Sequence, residues 1–595
     1  MDDVLALRER VDGLITRLVA EERAREALLA SVHPSERDSA RNLVHYVALR
    51  QEDLRKLQLG LWRLGLSSLG RLEGHVLDAL ELVRARLDDV LARPRDERPA
   101  AHARPTWDDA ERLLHAHTRA LLGPRPAARH VSIMVTAPSA LEADEVWVES
   151  ILTAGANVLR INGAHEDARA WTRIADTARR VAARLGQSLR IVVDLPGPKL
   201  RTVALGEGPR VLRWQPSRDE LGRVTEPSRI VLHAAGSAPA EGLAIPREAL
   251  EAIEIGDRIT LRDARDKKRE LRVVAATRDT RTVSLHETAY FTPDTELTLR
   301  RAEAVVTRFF PTDIPARPHR LSLAVGDAFA LVRPGARVPT GLPAIGCTLE
   351  AALASVAKGQ RVLFDDGHLE TTVERVEPTH AVLRVEHATG GTFRLGGEKG
   401  MNLPDTEIEL PLLGEDDERA LQFAVEHADA IGASFVRSTA DVEGLHRRLA
   451  ELGAERLGII WKIETSHAIR RLPEILLAAL ARAPVGVMIA RGDLAVEAGY
   501  ERLAELQEEI LWMAEAAHMP VVWATQVLDL HARTGRPSRA EVTDAAMSVR
   551  AECVMLNKGP YVAQAVGALD DILRRMEQHQ YKKRSLYRRL HMKLP

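Results

Sequence analysis

Apolar positions along residues 1–92 recur at alternating spacings of three and four: Val4, Leu7, Val11, Leu14 and Leu18, then Leu54, Leu57, Leu61 and Leu64, then a third run from Leu77 to Val83. This spacing places one apolar seam on each of several helices. No segment sustains three heptads, which favours helices packed on their own chain over an assembling coiled coil. Leu66-Ser-Ser-Leu-Gly70 breaks the pattern. Residues 93–105 form a proline-spaced polar linker, and a short helix at about 107–122 leads into the main body.

From there the period switches. Short continuous apolar runs at 131–136, 156–162 and 189–194 alternate with helical patterns at 143–153 and about 167–186. Runs of that length read as strands buried on both faces, and the alternation predicts βαβ units in a parallel sheet. Residues 203–400 change character to short alternating runs such as Arg258-Ile-Thr-Leu-Arg262, which predicts an all-β insertion. The βα alternation resumes with strands near 430–435, 458–463, 486–490, 520–524 and 553–557, and a last helix from 561 to about 578. Three strands before the insertion and five after it make eight, so the expected fold class is α/β, a (β/α)8 barrel with a β-rich domain inserted after the third strand. The expected domains are a helical extension and linker (1–105), the barrel (106–202 and 401–595) and the insertion (203–400).

Bulk properties narrow the function. The chain has 595 residues, too many for one core, and a formal net charge of −2 gives no electrostatic reason to expect nucleic acid or an anionic membrane as partner. Two cysteines, Cys347 and Cys553, exclude a disulfide framework and a cysteine-built zinc site. No apolar run approaches the ~20 residues needed to cross a bilayer, and the first residues are no signal peptide, so a cytoplasmic enzyme is expected. The basic stretch 581–589 could hold an acidic partner, but a solvated helix end is the preferred reading.

The chemistry collects at the carboxyl ends of the strands, where barrels place their active sites. Lys462 and Glu464 are two apart on one strand and so leave the same face. Asp493 follows Gly492 just beyond the next strand. Arg160, Asn162, Asp194, Arg491, Thr525 and Gln526 complete the ring. A lysine beside two carboxylates suits a divalent metal plus a fixed positive charge, an arrangement that serves phosphoryl transfer or stabilises an enolate. The plainer reading is a set of barrel-end ion pairs, with Arg491 and Asp194 the first to be claimed by neighbours.

Taken in order, Leu159-Arg-Ile-Asn-Gly-Ala-His165, Asp194-Leu-Pro-Gly-Pro-Lys-Leu-Arg-Thr202, Asp365-Asp-Gly367, Lys399-Gly-Met-Asn-Leu-Pro404, Ala433-Ser-Phe-Val-Arg437, Trp461-Lys-Ile-Glu464, Ala490-Arg-Gly-Asp-Leu-Ala-Val-Glu497, Ala524-Thr-Gln-Val-Leu528 and Arg536-Pro-Ser-Arg-Ala-Glu541 resemble the pyruvate kinase family over about 130–575. The resemblance implies conversion of phosphoenolpyruvate and ADP to pyruvate and ATP, the final step of glycolysis, with Mg²⁺ (or Mn²⁺) held by Glu464 and Asp493. It implies catalytic roles for Lys462, Arg160 and Thr525, with Arg160 on the phosphate and the Gly492 and Asp493 N–H groups with Thr525 on the substrate carboxylate. Pro138, His165 and Arg201 would line the nucleotide site, and the insertion would close as a lid.

Four departures qualify it. Asn162 and Asp194 of the family's monovalent-cation site remain, but Ala164 replaces a serine and Lys199 stands where potassium-dependent members carry an acid, so K⁺ is not expected to be required. Asn557-Lys-Gly-Pro560 replaces the Ser-Gly-Glu-Thr associated with enolate protonation. The family's carboxyl-terminal regulatory domain is not expected to have a counterpart, and the amino-terminal helices, which could support a homo-oligomer, match nothing in the family. Two rival readings follow: a catalytically weakened relative acting in binding or assembly, and a metal-enolate barrel aldolase or lyase.

Overall fold

The computed structural model describes residues 2–92, 105–198, 200–236, 242–408, 410–582 and 584–585. Eight parallel strands close into a barrel in sequence order: β1 (Ser132–Thr136), β2 (Val158–Asn162), β3 (Arg190–Asp194), β4 (Ala430–Ala433), β5 (Gly458–Ile463), β6 (Val485–Ala490), β7 (Val521–Ala524) and β8 (Cys553–Leu556). The expected (β/α)8 architecture, with a β-rich insertion between β3 and β4 and a helical region in front, is therefore observed. Each run is buried on both faces because outer helices cover one side and the barrel interior the other.

The interior is filled by Met134, Val192, Ile460, Met488, Val522 and Met555, among others, and the helix Trp107–Leu122 closes its floor. Leu121 and Leu122 insert among those side chains. They have room because β5 and β6 begin near glycines: a Cβ on Gly458 or Gly486 would lie 2.7 or 2.6 Å from a Leu121 methyl. With its amino-terminal end plugged by leucine, the barrel is open to chemistry only at the carboxyl end.

The amino-terminal helices pack on the barrel's own outer helices, as their short seams suggest. The helix Arg37–Leu49 lies against Leu472–Ala479 and Tyr500–Ala516. Asn42 sits at the junction: its Nδ2 donates to the carbonyls of Glu73 (2.6 Å) and Ala516 (2.8 Å), and its Oδ1 accepts from the Val76 N–H (2.8 Å). The buried His518 ring spans the same seam, with Nδ1 3.0 Å from Ser39 Oγ and Nε2 2.9 Å from the Gly74 carbonyl. Leu64, expected in a seam, is exposed because its helix ends at Arg63. Among the described residues no helix is long and apolar enough to cross a membrane. The linker expected at 93–105 lies, except for its last residue, outside the described residues, as does most of the basic stretch 581–589.

Residues 200–359 and 368–401 form a separate compact unit, while 360–367 group with the barrel. Within that unit, a seven-stranded sheet runs in the order Leu243–Ile245, Ser228–Ala234, Thr280–Leu285, Lys268–Ala276, Arg258–Arg262, Leu297–Arg301 and Ala304–Phe309. Alternation places Ile259, Leu271, Val283 and Leu299 in its own apolar core and the intervening residues on the opposite face. A second set of strands, Leu369–Val376, His380–Ala388, Ala328–Val332, Ala344–Cys347 and Thr202–Val203, pairs in that order.

Burial holds the His518 imidazole neutral, with its pKa pushed down to about 4. The unfolded chain therefore binds more protons than the folded one between about pH 6.5 and 4, so the stability this group contributes is full above that window and is lost as pH falls through it. Denaturant unfolding from pH 8 to 5 should show a smaller acid-side loss for His518→Gln than for the native chain.

Candidate functional site

The strand ends place charges where the two-residue period says they should be. Lys462 and Glu464 emerge from the end of β5 on one face, and the Lys462 ammonium lies 2.9 Å from Glu464 Oε1, 3.3 Å from Asp194 Oδ2 and 2.8 Å from Ser434 Oγ. Arg160, on β2, directs both Nε and Nη2 at that same Asp194 Oδ2 (2.9 and 2.7 Å) and its Nη1 at Thr136 Oγ1 (3.1 Å). Asp194 thus joins two cations at the end of β3 while being only 1 % exposed. Burial alone would push its carboxyl up, but the charges of Arg160 and Lys462 outweigh it and hold the group below the usual carboxylate range. For Lys462 too, burial favours the neutral amine, and Asp194 and Glu464 overcome it, raising the pKa and keeping the ammonium charged.

Asp194 Oδ1 has no hydrogen-bond partner and faces β4 at Gly432, where an added Cβ would lie 2.1 Å away. The carboxylate occupies the space a side chain would take. Ser434, at the end of β4, donates its hydroxyl to the Leu195 carbonyl (2.7 Å) and accepts from Lys462, so it orients the amine. Glu464 Oε2 accepts the Phe435 N–H at 2.6 Å.

Across the mouth, the helix Arg491–Ala498 starts directly at the end of β6. Its Gly492 N–H donates to Thr525 Oγ1 at 3.2 Å, which brings together the two groups expected to receive a carboxylate. Arg491 leaves the ring of the site: it pairs with Asp544, donates to the Ala524 carbonyl (2.8 Å) and to that of Thr525, and lies over the Trp523 ring at 5.0 Å. The Asp493 carboxyl is pushed up to about 7 by burial and by the neighbouring charge of Glu464, with Asp366 and Glu497 adding to it against Lys462.

Among the described residues no group of three or more His, Cys, Asp or Glu is arranged as a complete metal cage. The donors present nonetheless fit Mg²⁺, which is commonly held by one or two carboxylates with water and substrate oxygens completing its shell. Glu464 and Asp493 are hard oxygen donors, carried just beyond the ends of β5 and β6.

A family model described as pyruvate kinase, barrel domain, matches residues 128–278 and 339–566, more than half of the chain. The chain belongs to the pyruvate kinase family. It is 38% identical over 247 residues to a pyruvate kinase of Rattus norvegicus, covering 40% of this chain and 41% of that one. It is 32% identical over 267 residues to the pyruvate kinase of Clostridium acetobutylicum (44% and 54%) and 35% identical over 232 residues to that of Methanocaldococcus jannaschii (38% and 49%). The matched stretch spans about half the length of these relatives.

Of the positions that pyruvate kinase resemblance singles out, Arg160, Asp194, Lys462 and Glu464 meet in direct contact, and Gly492 meets Thr525. Asn162 ends β2, its Oδ1 accepting the Ala164 N–H at 3.2 Å. Pro138 follows β1, and His165 follows β2 with its carbonyl accepting from Trp171 Nε1 at 2.8 Å. Arg201 belongs to the other compact unit, where its Nη1 donates to the Glu398 carbonyl at 2.8 Å. Lys199 lies outside the described residues. Asn557, in the departing stretch after β8, reaches Asp529 Oδ1 at 3.4 Å.

Three contributors carried no role in the sequence reading: Ser434, Asp366 and Asp544. The signal for the first was present, since Ser434 follows directly on β4 inside a motif that otherwise drew attention for its family likeness. Gly432→Ala should force Asp194 off its present position, destabilising the fold by about 1–3 kcal/mol, the usual cost of overpacking. Urea denaturation would measure it, and an unchanged midpoint would contradict the tight fit.

Proposed function

We propose that this chain is a pyruvate kinase-type phosphotransferase that converts phosphoenolpyruvate and ADP to pyruvate and ATP with Mg²⁺ or Mn²⁺. The observation that carries the reading is the Lys462 ammonium fixed among Asp194, Glu464 and Ser434 at the end of β5, beside an Asp493 carboxyl surrounded by like charge. A fixed cation next to a carboxylate pair serves a reaction in which a phosphoryl group leaves an enol oxygen and negative charge develops between them.

Each residue then has a task. The Arg160 guanidinium, locked by Asp194 through Nε and Nη2, offers its remaining Nη1 and Nη2 N–H groups to the substrate phosphate. Lys462 neutralises charge on the phosphoryl group in transit to the ADP terminal oxygen. Gly492 N–H and the Thr525 hydroxyl, now bonded to each other, turn to the substrate carboxylate when it binds. Thr525 stands by the enolate carbon that takes a proton to give pyruvate, a role made heavier by Asn557-Lys-Gly-Pro560. Glu464 and Asp493 would hold the divalent ion, which would supply positive charge where the enolate develops. Pro138 and His165 contact the nucleotide. With Ala164 and Lys199 replacing the family's hydroxyl and acid, the reaction proceeds without K⁺.

ATP formation from ADP and phosphoenolpyruvate, followed with and without Mg²⁺, tests this reading. Turnover should require the divalent ion, change little between Na⁺ and K⁺ at equal ionic strength, and fall by about a hundredfold or more in Lys462→Met. Native protein that binds phosphoenolpyruvate without forming ATP would overturn it.

A further inference from the structure

The seven-stranded sheet of the insertion carries a feature that the barrel chemistry does not use. Its apolar face is buried in its own core, and the opposite face is polar. Strand register aligns a row across that polar face: Arg229 opposite Ser284, Ser284 opposite Arg272, Arg272 opposite Arg258, and Arg258 opposite Arg300. Four arginines thus stand on five adjacent strands at one level. Like charges directly opposite one another weaken a sheet, and here Arg258 faces an arginine on both sides.

Local carboxylates only partly relieve the row. Arg258 reaches Glu303 at 2.9 Å, while Arg272 is 3.7 Å from Glu270, outside hydrogen-bond range. Among the described residues Arg300 donates only to the Glu303 backbone carbonyl, at 3.3 Å. Arg229 and the nearby Lys268 have no ion-pair partner among the described residues. The next level of the face presents Thr260 opposite Thr298, adding hydroxyl donors. A hollow of about 1130 Å³ opens over these strands, lined by the cations Arg262, Lys268, Arg269, Arg272 and Arg300 and the two threonines, and also by Glu270, Asp294, Glu296 and Glu287, the last paired with Arg269 at 3.0 Å.

We propose that this face binds a compact anion bearing two or more linked phosphate groups. Arginine forks and threonine hydroxyls are phosphate donors. Neighbouring strands lie about 4.8 Å apart, so Arg272, Arg258 and Arg300 fall within roughly 10 Å and suit adjacent phosphates better than a single one. The hollow leaves space beyond them for an organic group. A single-stranded nucleic acid fits less well, because these five strands carry no Phe, Tyr or Trp on which a base could stack, and their one imidazole, His233, is bonded to the Ala234 carbonyl at 3.1 Å. Two of the five, Thr280–Leu285 and Leu297–Arg301, lie in the stretch 279–338 that the family model does not match, so the row is completed by residues outside the family likeness.

The test uses the full chain and inorganic triphosphate, without divalent ions, by calorimetric titration and thermal unfolding. Native protein should bind triphosphate more tightly than orthophosphate, with affinity falling as salt rises, and its unfolding temperature should rise with the ligand. Arg258→Gln/Arg272→Gln should weaken binding at least about tenfold. Because it removes opposed like charges, the double variant should unfold at an equal or higher temperature than the native chain without ligand, so loss of binding cannot be ascribed to misfolding. Lys462→Met, which alters the barrel mouth, should bind triphosphate as the native chain does. The proposal is overturned if the arginine variant binds equally well, if Lys462→Met is the variant that loses binding, or if a short single-stranded RNA displaces triphosphate at much lower phosphate concentration.

Discussion

One buried carboxylate organises the barrel mouth. Asp194 Oδ2, itself buried, is shared by the Arg160 guanidinium and the Lys462 ammonium at the strand ends. A charge that deep is tolerated only when paired, and removing a partner from such a set costs far more than the pair contributes to stability. The cations gain a fixed position in return. Neither can relax toward solvent without leaving Asp194 uncompensated, so both are held in place at the strand ends.

The rest of the barrel accommodates that cluster. Gly432 surrenders its side-chain volume to Asp194, Ser434 turns its hydroxyl to the amine, and the leucines of the helix Trp107–Leu122 close the opposite end. The amino-terminal helices add a buried polar seam through Asn42 and His518, far in sequence from the residues they hold. That seam uses their apolar faces within the chain.

The barrel was legible in the sequence because its strands are buried on both sides, leaving uninterrupted apolar runs separated by helical periods. Lys462 and Glu464 were legible for a related reason: the two-residue period of a strand fixes which side chains share a face. What could not be read were partnerships between distant segments. Nothing local says that Ser434 orients Lys462, that Asp366 adds to the charge around Asp493, or that Asp544 removes Arg491 from the ring. The β character of 203–400 was visible, but the register that lines up Arg229, Arg272, Arg258 and Arg300 depends on pairings across loops, and alternating polar residues on a strand look the same whether they face water or a ligand.

The central claim is that this preorganised cluster and a divalent ion act together on one phosphorylated enol. Equilibrium binding of Mn²⁺, measured with and without phosphoenolpyruvate, tests it most directly. The account predicts that phosphoenolpyruvate tightens Mn²⁺ binding in the native chain and that Glu464→Gln weakens that binding by about tenfold or more. Mn²⁺ affinity indifferent both to phosphoenolpyruvate and to the loss of the Glu464 charge would contradict it.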